Sequence, residues 1–264
     1  MPASEATRNV TTALILAAGQ GSRLKNGDGT PKPLIPVFGM PMIERIMAAC
    51  TKAGIRRFVV VVGYQAQRMK ESLPGLVPAG CELAIVENPR YLESNGISLL
   101  EGARTLGGPF VLLMSDHLFS HDRLSCAMAH FKTSGRCLLV VEARENFDGD
   151  IEDATRVAVE NGKVVCIGKN IDTYHAIDTG IFVLEPEPVS RALEQCGPSP
   201  SISQGMAVLA SNAQLEALFV STGYWQDVDT PEDLQAAEKK LYRSLGKPTG
   251  GPLALLINRR SACF

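Results

Sequence analysis

An apolar run, ALILAA at residues 13–18, opens into Gly19, Gln20, Gly21, Ser22 and Arg23. Backbone amides of such a turn can converge on an anion, and the missing side chains let a phosphate chain approach the backbone. Two cations stand close in sequence: Arg23, and Lys32 in Pro31-Lys32-Pro33-Leu34. A loop with two fixed cations suits a triphosphate, whereas the glycines alone would leave it an ordinary turn. The better known phosphate loops do not align. A dinucleotide-binding turn needs a third glycine where Leu24 stands, and GxxxxGK[ST] cannot be written here.

Acids follow at the ends of other apolar runs. Residues 110–114 lead into Ser115, Asp116 and His117, so Asp116 is expected at the carboxyl end of a central strand, where open α/β sheets form their ligand crevice. Asp116 is there either a hard ligand suited to Mg²⁺ or a helix cap. Asp227 and Asp229 precede a helix that starts with Pro231, and strand alternation would send their side chains apart. His117, His121 and Cys126 invite a zinc reading, which fails for want of a fourth ligand at sensible spacing. Asn95 and Gly96 open a helix and serve either a nucleotide base or the helix cap. Glu152, Asp178 and Lys169 supply acids for hydroxyl groups and a lysine for a phosphate; solvated or capping roles are the alternatives for Lys169 and Asp178.

The run LILAAGQGSRL with PKPL downstream resembles the signature of nucleotidyltransferases that make NDP-sugars and NDP-alcohols from an NTP and a phosphomonoester. Together with the segments MSDH, DIEDAT, IGK, AIDTGIF and DVDTPED, it is most similar to the cytidylyltransferase half of bifunctional proteins that form CDP-inositol from CTP and inositol 1-phosphate. The resemblance covers residues from about 12 to 245. It implies a Rossmann-like three-layer α/β fold with a central mixed, mostly parallel sheet and a small β-hairpin acceptor region.

It also implies site roles. Leu16, Ala17, Ala18, Gly19, Gln20, Gly21 and Ser22 would wrap the nucleotide, with Glu87, Asn95, Gly96 and Ser115 beside it. Arg23 would stabilise departing pyrophosphate, and Lys32 would meet the phosphates at the reaction centre. Asp116 and one of Asp227 and Asp229 would hold Mg²⁺. Lys169, Glu152, Asp178 and Gly180 would hold the acceptor. Related acceptors are phosphocholine, a phosphonate, a hexose 1-phosphate or another cyclitol phosphate, with UTP or GTP as other donors. Outside enzymes, a nucleotide-binding regulatory subunit would share the loop.

These residues need a parallel α/β frame, and the pattern supplies one. Strands are expected near 13–18, 58–62, 83–86, 110–114 and 138–143, alternating with helices near 41–53, 65–73, 97–106 and 122–133. Asn161-Gly162 between alternating runs at 156–167 predicts a hairpin. Further strands near 176–184 and 214–220 and a helix over 231–245 complete the set. The nucleotide-binding half is expected at about 12–135 and the acceptor-binding half at about 136–230, within one unit spanning 1–245.

The chain has 264 residues, 45% hydrophobic and 20% charged, with a formal charge of −2. That is ample for a self-sufficient core, and it leaves no overall field that would gather nucleic acid. Seven cysteines, none within ten residues of another, write no disulfide framework and fit a reducing cytoplasm. No apolar run approaches the ~20 residues of a membrane span. Residues 239–264 carry six Lys or Arg and no acid. Their end, 246–264, is similar to the linker into a membrane phosphotransferase half, so the chain is expected to be cytoplasmic, membrane-associated at most through this tail or a partner. The partners expected are CTP, a small phosphomonoester, a separate membrane-bound CDP-alcohol phosphotransferase of phospholipid biosynthesis, and a second copy of the chain in a homodimer.

Overall fold

The computed structural model describes residues 8–24 and 29–244. The chain runs through β1 (Thr12–Ala17), a 3-10 turn (Lys32–Leu34), β2 (Pro36–Val37), β3 (Met40–Pro41), α1 (Met42–Lys52), β4 (Arg57–Val62), α2 (Ala66–Ser72), β5 (Glu82–Glu87) and α3 (Gly96–Ala103). It continues through β6 (Phe110–Met114), β7 (His117–Phe119), α4 (His121–Ser134), β8 (Cys137–Ala143), β9 (Arg156–Glu160), β10 (Lys163–Gly168) and β11 (Ala176–Leu184). The last elements are α5 (Pro186–Gln195), α6 (Ile202–Ser211), β12 (Leu215–Phe219), β13 (Trp225–Asp227) and α7 (Pro231–Ser244).

One nine-stranded sheet, ordered β5-β4-β1-β6-β11-β8-β12-β10-β9, organises the molecule. Seven strands run one way, and only β11 and β10 are reversed. Strand alternation splits the core into two layers. Ala13, Ile15 and Ala17 of β1 face a cluster with Met42, Ile46, Met47, Phe131 and Leu241. Leu14 and Leu16 face the other, with Leu99, Val189, Leu193 and Leu209. Helices α1, α4 and α7 therefore cover one face and α3, α5 and α6 the opposite one, which gives the expected three layers.

Local chemistry explains the elements. Met42, Ile43, Ile46, Met47 and Cys50 bury one face of α1 at three- and four-residue spacing, with Glu44 in the first turn and Lys52 in the last, as the helix dipole favours. The hairpin turns at Asn161 (φ 50°) and Gly162 (φ 74°), both left-handed as the favoured two-residue turn requires.

Two helices, α5 and α6, fill the stretch where the pattern predicts no element. Pro186 and Pro188 stand in the first turn of α5, although Val189, Ala192 and Leu193 keep helical spacing there and Ser201 and Gln204 form a capping box that opens α6. The two short strands β7 and β13, also unforeseen, pair antiparallel with His117 opposite Asp227. The tail at 246–264 lies outside the described residues. No helix among the described residues is long and apolar enough to cross a membrane.

Candidate active site

The carboxyl end of β6 meets β11, the β7–β13 pair and the end of β10 around a cleft of about 490 Å³ lined by Arg23, Asn95, His117, Asp153, Lys169 and Asp227, among others. Lys32, only 6% exposed, lies behind the lining residue Asp229, with Nζ donating to Asp116 Oδ2 (2.7 Å) and to Asp229 Oδ1 (2.5 Å). Arg23 donates to the other oxygen of Asp229 (2.6 Å) and to Asp153, whose second oxygen accepts from Lys169 Nζ (2.5 Å). A continuous chain of charges therefore runs Asp116, Lys32, Asp229, Arg23, Asp153, Lys169.

Each link has a backbone cause. Gly21 (φ +57°) carries no Cβ, and one built there would lie 2.5 Å from Lys32 Cβ, so this glycine is what lets Lys32 pack under the loop. Ser115 is buried and its N–H bonds to Leu16 O (3.2 Å), locking the end of β6 to β1. The Asp116 carbonyl accepts from Val228 N–H (3.0 Å), which brings the late acidic segment across. Within that segment Asp233 is the capping acid: its carboxylate accepts from Thr230 N–H (2.9 Å) while Thr230 Oγ1 accepts from Asp233 N–H (3.2 Å).

Asp227 and Asp229 do part company. Asp229 neutralises the two cations. Asp227 turns to His117, its Oδ1 3.4 Å from Nε2, while Asp116 Oδ1 is 3.9 Å from the same nitrogen. Ligand atoms of Asp116, His117 and Asp227 lie within 4.8 Å of one another, and Asp227 Oδ1 is buried with no hydrogen-bond partner. Two hard oxygen donors, one lacking any proton to accept, make a set that fits a divalent cation.

The ionisation states follow from the charge chain. Burial alone would lower Lys32, but Asp116 and Asp229 hold its ammonium above the ordinary value. Burial would raise Asp116, yet Lys32 and His117 keep it below the usual carboxylate range. Burial pushes Asp227 and Asp178 each up to about 6. The hydrogen bonds from Lys169 and then Arg23 lower Asp153.

Other expected residues fall differently. Asn95 lines the cleft but does not cap α3; its Oδ1 accepts from Ile202 N–H (2.9 Å), tying α3 to α6. Gly96 is buried against Pro200 O, which a Cβ would meet at 2.5 Å, so packing accounts for it. Glu87 ends β5 and pairs with Lys70 (2.5 Å), away from the cleft lining. Glu152 points to solvent, 84% exposed, because the turn begun by Asp150 accepting from its N–H (2.9 Å) aims Asp153 inward instead. Asp178 and Gly180 both line the cleft, and Asp178 Oδ1 accepts from Gly180 N–H (2.7 Å). His121 faces its neighbour Asp122 and Cys126 is exposed, so neither joins His117.

Asp153, Trp225 and Phe147 escape the sequence reading. Trp225 packs beside Phe147 (6.0 Å between ring centroids) and edge-on to His117 (5.6 Å), forming an aromatic wall of the cleft. Asp153 sat in a visible acidic segment, but nothing local distinguished it from Glu152.

This three-layer arrangement on a mixed sheet is the nucleotidyltransferase fold. The solved inositol-1-phosphate CTP transferase from T. maritima shares it, with a TM-score of 0.75 and 24% identity over 89% of this chain and 97% of that one. The chain belongs to the MobA-like NTP transferase domain family, whose model matches residues 13–218. A bifunctional IPC transferase and DIPP synthase of Rubrobacter xylanophilus is 34% identical over 98% of this chain and 58% of its own length. The chain thus spans just over half of that relative. A 2-aminoethylphosphonate cytidylyltransferase of Lancefieldella rimae is 34% identical over 65% of this chain and 67% of its own.

Proposed function

We propose that the chain transfers a cytidylyl group from CTP to inositol 1-phosphate, forming CDP-inositol and pyrophosphate. The observation that carries this reading is the row of three cations, Arg23, Lys32 and Lys169, held beside the Asp116–Asp227 pair. Such a row suits a reaction that brings two polyanions together. The choice of CTP and inositol 1-phosphate is supported by the names of the Rubrobacter relative and the T. maritima structure.

An oxygen of the acceptor phosphate attacks the α-phosphorus in line, and the bond from that phosphorus to the bridging oxygen of pyrophosphate breaks. With a second pKa near 6 the acceptor is mostly dianionic at neutral pH, so no general base is needed. The protein's work is charge neutralisation and positioning. Arg23 and Lys32 exchange Asp229 for triphosphate oxygens and hold the charge that develops on pyrophosphate. Lys169 leaves Asp153 for the acceptor phosphate. The loop from Leu16 through Ser22 cradles the nucleotide, and Asn95 borders its base. Asp178 and Gly180 border the polyol. Mg²⁺ held by Asp116 and Asp227 would supply Lewis-acid polarisation at the α-phosphate.

In this reading residues 12–135 serve the nucleotide and 136–230 the acceptor, while the basic residues 246–264 face a membrane-bound phosphotransferase that consumes the product. The Lancefieldella relative favours a second acceptor, 2-aminoethylphosphonate. A matrix of CTP, UTP and GTP against inositol 1-phosphate, phosphocholine, 2-aminoethylphosphonate and hexose 1-phosphates, read by pyrophosphate release, tests both. The fastest release is expected with CTP and inositol 1-phosphate. Faster release with the phosphonate moves the assignment to that acceptor, and no release with any pair removes the enzyme reading.

A further inference from the structure

His117 has no place in the transfer just described, yet its position is built with care. Nδ1 stands 2.7 Å from the Thr179 carbonyl, which can only accept, so Nδ1 carries the proton. Gly180, at φ +70°, makes the approach feasible: a Cβ there would lie 2.4 Å from Nδ1. The edge-on Trp225 ring fixes the tilt. A backbone carbonyl holding one imidazole nitrogen is the usual support for a ring whose other nitrogen binds a metal.

That other nitrogen, Nε2, faces two carboxylate oxygens at 3.4 Å and 3.9 Å. Ligands in adjacent positions around an ion with ~2.1 Å bonds stand about 3 Å apart, and the three donor atoms lie within 4.8 Å of one another, so an inward shift of the side chains would bring all three onto one cation. The opposite side of Asp116 is already taken by Lys32, leaving Oδ1 to turn toward His117.

We propose that the divalent ion of this cleft is held by three protein atoms, one oxygen each from Asp116 and Asp227 and Nε2 of His117. The imidazole shifts the site from a purely hard oxygen set toward one that binds Mn²⁺ and Cd²⁺ more strongly relative to Mg²⁺. The inference rests on the nucleotidyl-transfer reading only for the presence of a divalent ion in the cleft. The competing arrangement is a ring that serves solely as a counter-charge to the two acids and is displaced when the ion arrives.

Cadmium-113 added alone to the full chain with ¹⁵N-labelled histidine decides between them, because scalar coupling between the two nuclei requires a direct bond. Coupling to Nε2 of His117 is expected, with His121, His130 and His175 as internal controls. Absence of that coupling, whether Cd²⁺ binds elsewhere or not at all, overturns the proposal. In parallel, His117→Gln should weaken Mn²⁺ binding, followed by the EPR signal of free ion, by roughly tenfold or more, with a smaller loss for Mg²⁺. Equal Mn²⁺ affinity in a folded His117→Gln protein also overturns it. Pyrophosphate release without coupling would sink the triad and leave the transfer reading intact; coupling without release from any substrate pair would do the reverse.

Discussion

Lys32 is a buried ammonium shared by two carboxylates, so removing one of them leaves it still paired. Asp116→Asn should therefore keep the fold, with a melting temperature close to wild type, while pyrophosphate release falls by about a hundredfold or more through loss of a metal ligand. Paired thermal melts and turnover assays check both halves of that expectation. Asp178 offers a separate test through pH. Its folded carboxyl is pushed up to about 6 against an ordinary value near 4. Its charged form thus costs stability, and the cost grows as pH rises from about 4 to 6 and stays constant above. Asp178→Asn keeps the oxygen that accepts from Gly180 and should raise the melting temperature more at pH 8 than at pH 4. Equal shifts at both would deny the burial cost. At this scale the sequence was readable where chemistry is local: Arg23 and Lys32 stand beside the glycine loop, and Asp116 closes an apolar run. Asp153 was not readable, because its partner Arg23 lies 130 residues away. The tie from Asn95 to Ile202 was hidden for the same reason, across 107 residues.

Among the elements, α6 does more than cover the sheet. Its first turn receives Asn95 from α3, and its start is fixed by the reciprocal Ser201–Gln204 cap. Ser201→Ala should cost about 1 kcal/mol in denaturant unfolding, the ordinary loss for such a cap. Because Asn95 bonds the backbone of Ile202 rather than the serine, turnover should change little. A stability change near zero would mean that the cap adds nothing beyond tertiary packing. Strong periodicity made α1 and the strands β1, β4, β5 and β6 legible, whereas the two-residue strands β2 and β3 left no pattern, and Asn161-Gly162 announced its hairpin. The pairs β7 and β13 left no pattern, since three residues cannot display a period, yet this pairing is what sets Asp227 opposite His117.

For the whole molecule, residues 12–135 and 136–230, which the proposed function gives to the nucleotide and the acceptor, supply the two ends of one sheet. Strand β11 is bonded to β6 on one side and to β8 on the other, with β9 also reached at its start. The alternation of strands and helices foretold the three layers, but it could not foretell that β11 would be reversed, because that depends on pairings between distant segments. The reversal matters while the chain is being made. Strands β1, β4, β5 and β6 can assemble once residue 114 is available, but the open edge of β6 waits for Leu184, about 70 residues later. At translation speeds of ~5–20 residues per second the apolar FVLLM edge would stand uncovered for roughly 4–14 s, a long opening for unwanted strand addition. A fragment ending at residue 135 should accordingly scatter light and precipitate at micromolar concentration, where the chain through residue 244 stays monodisperse. A monodisperse, cooperatively melting fragment would show that the edge is guarded by other means. In the cell, such a nascent chain is a natural client for ribosome-associated chaperones during the synthesis of its second half.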